Sequence, residues 1–96
     1  MYLWLAYDIS DHKQRRRVAK LCERAGLQRI QKSNFLGKLK AKRARKLEKE
    51  VQQHIEPAND KLYCLTLDRP TFRRMRRYGL DFDHAGLDAR FQNLFF

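Results

Sequence analysis

The run YLWLAYDISD, from Tyr2 to Asp11, limits what this chain can become more than any other stretch, because it is a short apolar strand ending in a carboxylate. Strand alternation puts Leu3, Leu5, Tyr7 and Ile9 on one face and Tyr2, Trp4, Ala6 and Asp8 on the other. Both faces are largely apolar, as expected of a strand in the middle of a sheet covered on at least one side. Asp8 breaks the pattern. A carboxylate has low β-propensity and is costly to desolvate unless it is paired, hydrogen-bonded or bound to a metal. At the carboxyl end of a central strand, just before the loop to a helix, Asp8 is a candidate site residue. The plainer alternative is a turn cap or a salt bridge to a nearby arginine.

After this strand, Ser10 or Asp11 can cap a helix whose buried face is Val18, Leu21, Cys22 and Ala25, with Gly26 as its stop. Residues 27–39 alternate around Ile30 and resume with Phe35 and Leu36, which predicts strands near 27–33 and 34–39 or one bent strand. A second helix over 40–56 has the core stripe Ala44, Leu47, Val51 and Ile55, and Pro57 ends it. KLYCLTL, Lys61 to Leu67, is another apolar strand. Asp68-Arg-Pro then reads as a turn, and 71–79 as a short strand or turn carrying Phe72, Met75 and Tyr78. The order β-α-β-β-α-β predicts an α+β, ferredoxin-like fold: a four-stranded antiparallel sheet with two helices on one face. We divide the chain into this domain, residues 1–79, and an aromatic-rich extension, residues 80–96.

The extension carries Phe82, Leu87, Phe91, Leu94, Phe95 and Phe96 after the fold is complete, more apolar surface than a chain leaves in water. We expect a homodimer formed through the sheets, with the segment beyond Leu67 reaching the edge of the partner's sheet.

Ninety-six residues suffice for one domain and one modest core. The formal charge of +11 points to a polyanionic partner, most simply nucleic acid. Its distribution is uneven. Residues 1–79 hold 21 Lys and Arg against 8 acids, whereas residues 80–96 hold one Arg against three Asp. Lys13, Arg15, Arg16 and Arg17 open the first helix, where the N-terminal dipole also favours phosphate. Lys38, Lys40, Lys42 and Arg43 begin a second cluster, and Arg73, Arg74, Arg76 and Arg77 form a third. Acids do not balance these runs, so we assign them to phosphate contact, with recognition through backbone and shape. The strands lack exposed aromatics of the kind that stack bases in RNA-recognition modules, which disfavours general RNA binding. Cys22 and Cys64 read as core thiols in a reducing cytosol. With no signal peptide and no membrane-length apolar run, a cytoplasmic location without membrane contact is expected.

One well-placed carboxylate per chain is a poor Mg²⁺ site, because Mg²⁺ takes an octahedral shell of oxygens. Asp11, Asp60 and Asp68 fall in predicted loops with no common spacing. A two-fold axis would bring Asp8 and its mate onto one ion.

Tyr7-Asp8-Ile9-Ser10-Asp11, then Arg15 and Arg17, then the run from Gly26 to Phe35 with Arg29 and Ser33, resembles the CRISPR-associated protein 2 family, in order over residues 1–79. The resemblance implies a ferredoxin-like homodimer whose paired Asp8 carboxylates bind one Mg²⁺, with Mn²⁺ as the alternative ion. Asp8 is then metal ligand and catalytic carboxylate, supported by Tyr7, Ser10, Arg15, Arg17, Arg29, Ser33 and Phe35. Asn34 stands where the family usually has an aliphatic residue. The family also implies a CRISPR integrase subunit as partner, with duplex DNA and single-stranded RNA as nucleic-acid partners. Its members are metal-dependent endonucleases, and they bridge integrase dimers on a prespacer duplex during spacer acquisition. The sparse carboxylates predict a weak nuclease. Two alternatives stay open: a purely architectural DNA-binding protein, and a toxin-like ribonuclease on the same fold.

Overall fold

The computed structural model describes residues 1–76, 78 and 79. Arg77 and the extension from residue 80 to 96, with its expected docking role, lie outside the described residues. Among the described residues seven elements follow one another: β1 (Tyr2–Asp8), α1 (His12–Arg24), β2 (Gln28–Gln31), β3 (Asn34–Lys38), α2 (Ala41–Gln52), β4 (Lys61–Leu67) and α3 (Arg69–Arg73). They form one four-stranded sheet in the order β2-β3-β1-β4, with every pairing antiparallel. This is the ferredoxin-like α+β architecture expected from the element order.

β1 is central, as its two apolar faces require. Leu3, Leu5, Tyr7 and Ile9 turn towards α1 and α2 and join Val18, Cys22, Phe35, Ala44, Leu47 and Val51 in the main core. Asp11 caps α1 by accepting from the Gln14 N–H, and Gly26, at φ 95°, follows the helix in the left-handed conformation. At Gly37 the backbone of β3 passes against Leu27. An added Cβ would sit 2.8 Å from Leu27 Cδ2 and 3.0 Å from its Cα, so only glycine fits.

Two boundaries differ from the sequence reading. α2 stops at Gln52 rather than running to residue 56. The chain then tightens into i→i−3 hydrogen bonds, from His54 N–H to Val51 O and from Ile55 N–H to Gln52 O. Pro57 disfavours helical backbone at the residue before it, which limits how far the last turns can run. The segment read as a turn at 68–70 and as a strand or turn from 71 is instead helix α3. Asp68 caps it by accepting the Thr71 N–H at 2.8 Å, and Pro70 lies in its first turn. An Asp cap followed by proline is a helix-start signal.

α3 lies on the opposite side of the sheet from α1 and α2. Its Phe72 is fully buried and stacks on Tyr2, centroids 3.9 Å apart and planes 6° from parallel, above Leu36. Among the described residues, the sheet face that the other helices leave open is therefore half covered. Its other half, around Trp4, Ala6, Asn34, Tyr63 and Leu65, forms a shallow apolar depression of about 490 Å³. Tyr63 and Leu65 are 64% and 56% exposed on edge strand β4. That corrects the expectation of strands free of exposed aromatics: no described element packs over this part of the sheet face, so Tyr63 stands open.

Candidate functional site

Alternation along β1 decides the geometry. Tyr7 and Asp8 are neighbours in sequence and point to opposite faces. Asp8 ends the open face, across from Lys61 in the β1–β4 ladder, and is exposed. Its side chain has no hydrogen bond or ion pair among the described residues.

The neighbouring carboxylates are engaged by backbone. Asp11 caps α1. Asp60 accepts the Ser10 N–H at 3.0 Å and the Glu56 N–H at 2.8 Å, buckling the β1–α1 loop to the α2–β4 connection. Those backbone donors, Ser10 first, hold the Asp60 carboxyl below the usual carboxylate range. Asp8 is thus left with both oxygens open to an external ligand. Among the described residues no three His, Cys, Asp or Glu side chains gather as a metal site. One chain does not furnish the oxygen shell Mg²⁺ needs, and two copies of Asp8 facing each other would supply two of its ligands, with water for the rest.

The residues expected to support Asp8 are not gathered around it. Tyr7, Arg15, Arg29 and Ser33 line a cleft of about 380 Å³ on the helix side of the sheet, between α1 and the β2–β3 hairpin. Arg15 donates to Ile9 O at 3.1 Å and contacts His12 Nδ1 at 2.9 Å, so it stiffens the turn that follows Asp8. Phe35 is fully buried, 6.2 Å from the Tyr7 ring, and the Arg29 guanidinium lies 5.2 Å over its face. Its part is therefore packing. Ser10 contributes its backbone N–H to the Asp60 buckle. Arg17 is exposed on α1 and does not line the cleft.

Burial, then the neighbouring Cys22, raises the Tyr7 phenol above its ordinary value, while Arg29 and the Ser33 hydroxyl act in the opposite sense. Ser33 stands in the hairpin turn at φ 66°, a left-handed conformation that costs a residue with a side chain about 1–2 kcal/mol. Asn34 follows it and accepts the Trp4 indole N–H at 3.0 Å, so a polar residue here ties β3 to β1 without disturbing the strand.

The basic residues fall on both sides of the sheet. Lys13, Arg16 and Arg17 are exposed on α1, and Lys42 and Arg43 on α2, flanked by Lys38 and Lys40. Arg73, Arg74 and Arg76 are exposed on and after α3, on the Asp8 side. Lys20, Lys32 and His12, which complete the cleft, went unrecognised as site residues in the sequence. Lys20 is one helical turn beyond Arg16, the one signal that could have found it.

No helix among the described residues is long and apolar enough to cross a membrane.

Residues 1–75 match the family model described as CRISPR associated protein Cas2. A protein of Archaeoglobus fulgidus named CRISPR-associated endoribonuclease Cas2 1 is 38% identical over 63 residues, 66% of this chain and 67% of that one. A CRISPR-associated endoribonuclease Cas2 2 of Chloroflexus aurantiacus is 32% identical over 85 residues, 88% of this chain and all of its own. The crystal structure of Streptococcus pyogenes Cas2 superimposes with a TM-score of 0.70 at 27% identity, covering 82% of this chain and 100% of that one. With the fold, the strand-end aspartate and a family match over most of the chain in agreement, this protein belongs to the CRISPR-associated protein Cas2 family.

Proposed function

We propose that this protein is the nucleic-acid-binding subunit of a CRISPR adaptation complex. Two copies pair through the open half of the sheet, clamp a prespacer duplex with their basic surfaces and bridge integrase subunits. A weak endonuclease activity resides at the paired Asp8 carboxylates. The observation that carries this reading is the exposed, internally unpartnered Asp8 at the rim of a half-uncovered apolar sheet face. Burying Trp4, Tyr63 and Leu65 against a second copy would remove a patch that water disfavours, and would bring two carboxylates towards one axis.

In the dimer, the Asp8 carboxylates of the two copies would together hold one Mg²⁺ or Mn²⁺, which would supply Lewis-acid chemistry there. Arg15 keeps the post-Asp8 turn in place through the Ile9 carbonyl, and Asp60 does so through the Ser10 N–H. Two carboxylates with no further acidic ligand suit slow chemistry, whereas the net positive charge suits tight, salt-sensitive duplex binding. The endoribonuclease names of the relatives favour RNA as the cleaved substrate.

Wild type and Asp8→Ala are compared for Mg²⁺-dependent cleavage of single-stranded RNA and duplex DNA, with duplex affinity measured against salt on the same samples. Cleavage should disappear in Asp8→Ala while duplex binding persists. For about eight phosphate contacts, affinity should fall by about 10³–10⁵ between about 50 and 200 mM salt in both proteins. Cleavage that survives in Asp8→Ala removes Asp8 from the chemistry, and a flat salt profile removes the clamp.

A further inference from the structure

The cleft between α1 and the β2–β3 hairpin carries no role in the scheme above, and its composition is unlike that of the other basic surfaces. Five cations, Arg15, Arg16, Lys20, Arg29 and Lys32, face it against one acid, Glu23. Two of the five are already engaged, Arg15 by Ile9 O and His12, and Arg29 by the Phe35 ring and, at 4.0 Å, by Glu23. The side chains of Arg16, Lys20 and Lys32 have no hydrogen bond or ion pair among the described residues. Nothing internal neutralises them.

Neutral hydrogen-bonding groups complete the lining. The Tyr7 side chain is buried at its base, and Ser33 stands at the lip in its left-handed conformation. The basic face of α2 differs: Lys40, Lys42, Arg43, Arg45, Lys46 and Lys49 line a broad, shallow depression with no hydroxyl among them. Such a face screens a polyanion without selecting any one group. The cleft, at about 380 Å³, is in the size range of small-ligand sites, with a few convergent polar groups on an otherwise fixed wall.

We propose that this cleft binds a phosphate monoester, the terminal phosphate of a nucleic-acid strand or of a free mononucleotide. Arg16, Lys20 and Lys32 hold its charge, and the Tyr7 and Ser33 hydroxyls donate to its oxygens. A monoester carries close to two negative charges near neutrality and a backbone phosphodiester carries one. The unneutralised cations match the former. The volume, about 380 Å³, admits a phosphate with its sugar and base. Because the cleft and Asp8 are on opposite faces of β1, an end held here is separate from a phosphate at Asp8. The inference rests on the nucleic-acid reading above only for the source of the ligand.

The test is anisotropy of a short single-stranded oligonucleotide, labelled at its 3′ end and carrying either a 5′-phosphate or a 5′-hydroxyl, bound by the full chain at physiological salt. Inorganic phosphate and adenosine 5′-monophosphate serve as competitors. Wild type should prefer the 5′-phosphate by about tenfold, the factor that one charge-assisted hydrogen bond contributes. Lys20→Gln/Lys32→Gln, both exposed positions, should abolish that preference, and Tyr7→Phe, which keeps the packed ring, should reduce it. Lys46→Gln/Lys49→Gln removes the same charge from α2 and should lower both affinities while keeping their ratio. Competition by the mononucleotide as strong as by the phosphorylated strand assigns the cleft to free nucleotides, and weaker competition assigns it to strand ends. Equal binding of the two oligonucleotides without competition overturns the inference, as does a preference that survives Lys20→Gln/Lys32→Gln. Duplex affinity against salt, read on the same samples, reports separately on the clamp.

Discussion

Phe35 is the position where the family resemblance and the structure assign different work, and its truncation separates them. The ring is fully buried between Tyr7 and the Arg29 guanidinium, in the core shared by the sheet and both long helices. Phe35→Ala loses the transfer free energy of the ring and leaves a cavity, together about 3–5 kcal/mol. Loss of the exposed cation–π contact accounts for about 0.5–1 kcal/mol of that total. A domain of this size has about 5–15 kcal/mol in all, so the variant should melt about 12–40 °C lower. Phe35→Leu keeps most of the volume and should cost less than about 1.5 kcal/mol. Urea unfolding followed by circular dichroism, at one fixed protein concentration because assembly adds to apparent stability, measures both. Duplex binding is then assayed well below either melting temperature. The packing role predicts that Phe35→Leu binds and cleaves as wild type does. A Phe35→Ala variant less than about 1 kcal/mol destabilised, or a stable Phe35→Leu variant without activity, would refute it and return Phe35 to the chemistry.

Gly37→Ala drives a Cβ against Leu27 and should destabilise by about 1–3 kcal/mol in the same unfolding assay; a neutral result would mean β3 can move away from the α1–β2 turn. The depressed Asp60 carboxyl gives a signed pH dependence. Its contribution is fully present above pH 3.8, its ordinary value, and is lost as pH falls through the lower folded value. The stability gap between wild type and Asp60→Ala should therefore close on acidification, and a gap that widens would contradict the buckle. Burial pushes the Cys22 and Cys64 thiols up to about 12, so alkylation of native protein at about pH 8 should run about a thousandfold slower than for a free thiol. Mass spectrometry after iodoacetamide treatment reads this, and rapid double labelling of the folded chain would overturn it.

Much of this was legible because the deciding signals are local. The period-two pattern of Tyr2–Ile9 gave the correct faces, and KLYCLTL gave β4 with its observed bounds of Lys61–Leu67. Asp11 and Gly26 bracket α1 as their chemistry predicts. α3 was missed because Asp68-Arg-Pro serves a turn and a helix start equally well, and the arbiter is Phe72 finding Tyr2 across the sheet. The candidate site was half legible. Alternation put Asp8 on the face opposite Tyr7 from the outset, yet motif proximity grouped them. Their separation, and the convergence of Arg16 and Lys20 on Lys32, depend on how the β2–β3 hairpin lies beside α1, which no local pattern specifies.

The antiparallel ladder between β1 and β4 also bears on how the chain folds. Among the described elements β1 comes first along the chain and sits inside the sheet, yet one of its two neighbours is the last of the four described strands. Asp60, which fastens the loop after β1, is fifty residues from its Ser10 partner. Until the ribosome releases residues 61–67, one side of the central strand has no partner for its backbone, and the Leu3, Leu5 and Ile9 layer lacks the strand beside it. Closing that span has an entropic cost that must be met before the contacts form, which slows non-local pairing. The nascent domain therefore waits for its end before its beginning is safe, and a truncation inside β4 should yield an aggregation-prone chain rather than a smaller folded one.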